Sequence, residues 1–148
     1  MANEKQSKSN NNITYNNCSG NSWYGIKLSS SNYNNITYNN FYHNTDYAIY
    51  ITTSSTGNII HHNNFWQNNG AGKGVSGNCQ AYDDVGGNYW NDNIVNEGNY
   101  WSNWDKIGAY PIDGGAGASD NYPLSSQVSE FSGITAIAML CMGILLVV

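Results

Sequence analysis

Hydrolysis of a glycosidic bond needs two carboxyl groups about 5 to 9 Å apart, and the chain offers Asp46, Asp83, Asp84, Asp92, Glu97, Asp105, Asp113 and Asp120 for that work. None recurs at a fixed step. Asp83 and Asp84 are neighbours, so a strand would turn them to opposite faces and they would not flank one bond. A single lysine, Lys27, lies between residues 11 and 70 with no arginine near it, which leaves a uronate lyase without its usual base and charge neutraliser. Soft-metal chemistry needs Cys, Met or His to converge. His61 and His62 are adjacent and would face opposite ways on a strand, and His43 stands apart. Cys18, Cys79 and Cys141 have neither metal-finger nor Cys-x-x-Cys spacing, and Met139 and Met142 sit in an apolar terminal run. The expectation is therefore no catalytic residue, no cofactor and no metal.

The residues best suited to a ligand are aromatic. Gly87-Asn-Tyr-Trp90 returns eleven residues later as Gly98-Asn-Tyr-Trp101, and Trp104 follows, so three of the five tryptophans fall here. Sugar rings present flat C–H faces to aromatic rings, which makes Trp90, Trp101, Trp104, Tyr89 and Tyr100 the carbohydrate-contact candidates. The same rings suit a second task, covering the apolar end that the last coil of a solenoid exposes.

What must position such groups is a repeat. Asn11-Asn-Ile-Thr-Tyr-Asn-Asn17 returns as Asn34-Asn-Ile-Thr-Tyr-Asn-Asn40 and, eroded, as Gly57-Asn-Ile-Ile-His-His-Asn63, each time 23 residues on. Tyr24-Gly-Ile-Lys-Leu28 is answered at the same step by Tyr47-Ala-Ile-Tyr-Ile51. A period in the twenties with no leucine framework means strands stacked coil upon coil. Equivalent residues then lie roughly 4.8 Å apart. Ile13, Ile36 and Ile59 are predicted to form an apolar column, and Asn17, Asn40 and Asn63 an inward amide ladder. Asn39-Asn-Phe-Tyr-His-Asn44 corresponds to Asn63-Asn-Phe-Trp-Gln-Asn68 with one residue inserted, placed after Ile59 and absorbed by a bulge. Cys18 falls in the Phe41 column as a small apolar filler, and a Cys18–Cys79 disulfide stays open. Gly70 to Gly77 reads as a loop, and Gln80 to Val85 as a final turn of the coil.

Only 10% of the residues are charged, with a net charge of −5 and five Lys and Arg together. That excludes the basic footprint of nucleic-acid binding. The 26 asparagines would suit a disordered tract, but an aromatic fraction of 14% argues against one.

Gln80-Ala-Tyr-Asp-Asp84, the two Gly-Asn-Tyr-Trp phrases and Asp120-Asn-Tyr-Pro-Leu124, after Asn-rich rungs, resemble the NosD-type right-handed parallel β-helix proteins. These are the carbohydrate-binding and sugar-hydrolase (CASH) repeats abundant as archaeal surface proteins, and the resemblance covers residues 11 to 124. It implies a β-helix, a cell-surface or extracellular setting and contact with carbohydrate. The association of NosD with copper-site maturation implies a copper site, for which the Cys, Met and His residues above do not converge. Phe131 after Glu130 is similar to the Pro-Glu-Phe sorting tails of archaeal surface proteins, with Ser129 in place of proline.

The whole is expected to be an all-β protein: a right-handed parallel β-helix of three to four 23-residue rungs, an aromatic C-terminal cap and one C-terminal transmembrane helix. Residues 1–10 are a polar stub without an apolar signal region, starting as if cut from a longer coil. Residues 11–85 are the rungs, 86–124 the cap, 125–130 a linker and 131–148 an uncharged membrane anchor. Asn12 and Asn35 are the glycosylation candidates, since Asn17, also in a sequon, would point inward. The expected role is structural or adhesive and non-catalytic, with possible polysaccharide contact along the rungs. The alternatives are self-association through open strand edges, a periplasmic copper-maturation protein, and a polysaccharide hydrolase or lyase relic.

Overall fold

A computed structural model describes residues 9–71 and 78–129; the anchor expected at 131–148 lies outside the described residues. Among the described residues there is no helix. Short β-branched and aromatic runs form β1 (Asn12–Thr14), β2 (Ile26–Ser29), β3 (Asn35–Thr37), β4 (Asn40–Tyr42), β5 (Ile49–Thr52), β6 (Ile59–His61), β7 (Asn64–Trp66), β8 (Ala81–Asp83), β9 (Tyr100–Trp101), β10 (Tyr110–Pro111) and β11 (Ser119–Asp120). Three parallel three-stranded sheets result, in the orders β1-β3-β6, β2-β5-β8 and β4-β7-β9, beside an antiparallel β10-β11 pair. Each parallel sheet takes one strand from each successive pass of the chain. The fold is all-β and β-helix-like. Ile13 pairs Ile36, Ile26 pairs Ile49 and Leu28 pairs Ile51, as the 23-residue step predicts.

The third pass departs from that step. Asn35 pairs Ile59 and Ile36 pairs Ile60, a step of 24. The extra residue is not at Ile59 but at the preceding corner: Ser30 N–H donates to Thr53 O, 23 residues on, whereas Ser31 N–H donates to Ser55 Oγ, 24 on. One left-handed residue, Ser30, turns the chain there out of the first pass, and two, Thr53 and Ser54, turn it out of the second. A corner absorbs an insertion without shifting any strand's faces, whereas a slip at Ile59 would flip the strand. Ile60 therefore fills the apolar column and Ile59 points outward, 40% exposed.

The coiling also runs past Val85. Tyr89 bridges Ile59, β9 pairs with β7 and Asp113 bridges Tyr82, so each of the three sheets receives a further pass. Most of the region expected as a cap is thus another coil. Its two Gly-Asn-Tyr-Trp phrases are two of its corners, with a loop closed by the Asp92–Glu97 bridge between them. Trp90 falls beside Ile60, and Trp101 pairs directly with Phe65. The central column runs Phe41, Phe65, Trp101, Tyr110 at ring separations of 5.0, 4.0 and 4.1 Å. Cys18 packs at its start.

Candidate functional site

At ten corners one left-handed residue precedes an inward Asn. Asn10, Tyr33, Gly57 and Gly87 precede Asn11, Asn34, Asn58 and Asn88; Tyr15, Tyr38 and His62 precede Asn16, Asn39 and Asn63; Gly20, His43 and Gln67 precede Asn21, Asn44 and Asn68. Within each of the first three passes the three asparagines stand five residues apart. A backbone turning this sharply cannot pair strand to strand, and a buried N–H left unpaired costs about 1–3 kcal/mol. The Asn side chain stands in for the missing strand. Asn16 donates its backbone N–H and its Nδ2 to Asn39 Oδ1, at 2.9 and 3.0 Å, and Asn39 donates both to Asn63 Oδ1 at 2.9 and 3.0 Å. Asn63 repeats this to Asn99. Parallel ladders run Asn11, Asn34, Asn58, Asn88 and Asn21, Asn44, Asn68, Gln80.

The predicted ladder of Asn17, Asn40 and Asn63 is therefore corrected by one residue, to Asn16, Asn39 and Asn63. The Asn17, Asn40 and Asn64 side chains form a separate column on the third sheet, with Asn64 Nδ2 donating to Asn40 Oδ1 at 2.8 Å and Asn64 bonded both ways to the Val128 backbone. The mixing of the two columns followed from reading 23 where the step into the third pass is 24. Of the glycosylation candidates, Asn12 is exposed and Asn35 half-buried with its Oδ1 buried and unpartnered among the described residues, while Asn17 is exposed rather than inward.

The ladders have a direction, since every link donates toward the C-terminal end. There the last donors meet acceptors. Asp120 Oδ2 accepts from Asn99 N–H at 2.7 Å and Nδ2 at 3.3 Å and from Trp101 Nε1 at 2.9 Å, and its Oδ1 accepts from Tyr122 N–H. Asp83, fully buried in the column of Leu28 and Ile51, accepts from Asn88 Nδ2. Gln80 Nε2 donates to Asn103 Oδ1 at 2.7 Å, and Tyr110 O–H donates to the same oxygen. Burial pushes the Asp120 carboxyl above the usual carboxylate range, and the donated hydrogen bonds hold it back.

The expected sugar platform is not where its rings are. Trp90 and Trp101 are 1% and 2% exposed, so neither offers a face; both continue core columns. Trp104 is half-buried with its Nε1 buried and unpartnered among the described residues, Tyr100 is half-buried and Tyr89 is 49% exposed. Two outward columns, Tyr15–Tyr38–His62 and Tyr24–Tyr50–Tyr82, stack ring on ring at 4.4 to 5.2 Å. His62 continues the first. Rings stacked this way spend their faces on each other. Elsewhere, half-buried Trp66 leans on Tyr100 and lines, with Tyr42, His43 and Gln127, an open concavity of about 270 Å³. The matched phrases Asn39-Asn-Phe-Tyr42 and Asn63-Asn-Phe-Trp66 carried the signal for it, as equivalent outward aromatic positions.

The other carboxylates have local tasks. Asp46, Asp92 and Asp105 each accept a nearby backbone N–H, Asp84 accepts from Gly115, and Asp113 accepts from the Tyr47 hydroxyl. Cys18 and Cys79 are free thiols. Burial, with Asp113 beside it, pushes the Cys79 thiol up to about 12, and burial raises Cys18.

The sequence profile described as "Periplasmic copper-binding protein (NosD)" matches residues 4–106, well over half of the chain. The chain belongs to the NosD family. No curated protein and no solved structure matches it. The family description names copper, and the donors among the described residues of this NosD chain do not fit that ion. Copper takes thiolates, thioethers or imidazoles that converge, and no three His, Cys, Asp or Glu groups cluster among the described residues. Burial raises both described thiols, Cys18 and Cys79, away from the thiolate form that copper takes. The one imidazole pair is tied up: His61 Nδ1 lies 2.6 Å from His62 Nδ1, and His62 Nε2 lies 2.6 Å from Glu97 Oε2. Burial, then the neighbouring His62, lowers the pKa of His61.

Proposed function

We propose that this NosD-family chain is a non-catalytic extracytoplasmic scaffold whose outer wall contacts carbohydrate at the Trp66 concavity. The observation that carries the reading is the meeting, in one open surface hollow, of aromatic rings with the polar side chains of His43 and Gln127. An indole and a phenol supply faces for a sugar's C–H surface, and imidazole and amide groups bond its hydroxyls. The engagement of each described aspartate in a structural hydrogen bond favours a role without catalysis. In this reading the apolar segment 131–148 holds the protein at a membrane. The test is a polysaccharide panel read by affinity electrophoresis. Trp66→Ala is expected to weaken the best ligand by roughly tenfold or more, about 1.4 kcal/mol, with the melting temperature nearly unchanged. Equal retention of parent and variant on every polysaccharide would end the proposal.

A further inference from the structure

The first pass presents the ladders' other end. Asn11, Asn16 and Asn21 are exposed and donate inward to Asn34, Asn39 and Asn44. Each Oδ1 faces the position a preceding coil would occupy, and no group among the described residues donates to any of them. The strands β1 and β2 are terminal in their sheets, so among the described residues their outer edges are unpaired. Between them Ile13 and Ile26 are half-buried, and with Asn11, Leu28 and Asn34 they line an open concavity of about 470 Å³. The face combines apolar side chains, strand edges and three acceptors in fixed register.

That combination selects its occupant. A second copy joined end to end would bring its C-terminal end, whose ladder donors are consumed by Asp120, Asp83 and Asn103. Two N-terminal faces would set oxygen against oxygen. Residues 1–8 hold one asparagine, Asn3, and so lack the three-asparagine pattern that would continue the ladders.

We propose that the N-terminal face docks one extended polypeptide coil that carries the chain's own pattern, three asparagines at five-residue spacing with apolar residues two and seven places after the first. Such a coil donates the backbone N–H and Nδ2 of each asparagine to Asn11, Asn16 and Asn21, adds strands to β1 and β2, and fills the hollow with its apolar side chains. The inference is independent of the carbohydrate reading, which concerns the side wall.

The test uses the full chain and a fluorescent 23-residue peptide with the sequence of residues 34–56, which carries Asn34, Asn39 and Asn44. The expected result is saturable binding by anisotropy, weakened at least tenfold in a peptide with all three asparagines changed to Asp, which replaces the three Nδ2 donors by carboxylate oxygens facing the Oδ1 acceptors without touching the protein. Asn16→Ala in the protein is expected to weaken binding several-fold while leaving the near-ultraviolet aromatic signal intact, and Asn96→Ala at the far end to leave binding unchanged. Equal binding of the two peptides overturns the proposal. So does concentration-dependent dimerisation that blocks the peptide, because the face would then belong to a second copy.

Discussion

The two ends of the coil stack are built from the same asparagine ladders and finish them in opposite ways. At the C-terminal end the ladders run into acceptors: Asp120 takes three donors on one oxygen, Asp83 sits in a column that is otherwise Leu and Ile, and Trp101 and Tyr110 close the aromatic column. At the N-terminal end Cys18 stands where later passes put Phe or Trp, Ile13 and Ile26 are half-covered, and the amide oxygens face outward. A one-way ladder needs a terminator at its donating end alone. The aspartates there are structural for that reason, and the tryptophans that look like a sugar platform are core residues of the last full pass.

The largest effect should separate the ends. Trp101→Ala opens the closed end and is expected to cost roughly 3–5 kcal/mol, while Ile13→Ala at the half-exposed end costs under about 2, both by chemical denaturation. Similar losses would erase the distinction. A smaller effect is one of pH. Asp120 binds its proton more tightly folded than unfolded because its pKa is raised, so its contribution is full below the ordinary Asp pKa and is lost as pH rises through the raised value. Subtracting the pH–stability curve of Asp120→Asn should isolate that decline. The smallest effect concerns the inserted corner: Ser54→Gly relieves a left-handed backbone at an exposed site and is expected to raise stability by about 0.5–1 kcal/mol.

The repeat was legible in the sequence because equal residues must stack in a coil, and Ile13 with Ile36 and Leu28 with Ile51 gave it away. The ladder register was not, since Asn-Asn pairs at 16–17, 39–40 and 63–64 each offer two candidates. Only the left-handed residue before each corner decides between them, and Tyr15, Tyr38 and His62 do not advertise that conformation as glycine would. The fourth pass was hidden for a related reason: its corners, Asn88 and Asn99, are eleven apart rather than five, and large rings replaced Ile and Phe in the columns. The Trp66 hollow was missed because it depends on Gln127, far along the chain.

The direction of the ladder is tested most directly by moving the acceptor. In the middle, Asn39→Asp removes the Nδ2 that donates to Ile13 O, Thr37 O and Asn63 Oδ1 and buries a carboxylate among oxygens, at an expected cost of roughly 3–5 kcal/mol. At the end, Asp120→Asn keeps an oxygen for Asn99 and Trp101 and loses the bond from Tyr122, at about 1–2 kcal/mol. Measured side by side by urea denaturation at neutral pH, the mid-ladder aspartate should be the far more damaging change. Equal losses, or a greater loss for Asp120→Asn, would contradict a one-way ladder closed by acceptors.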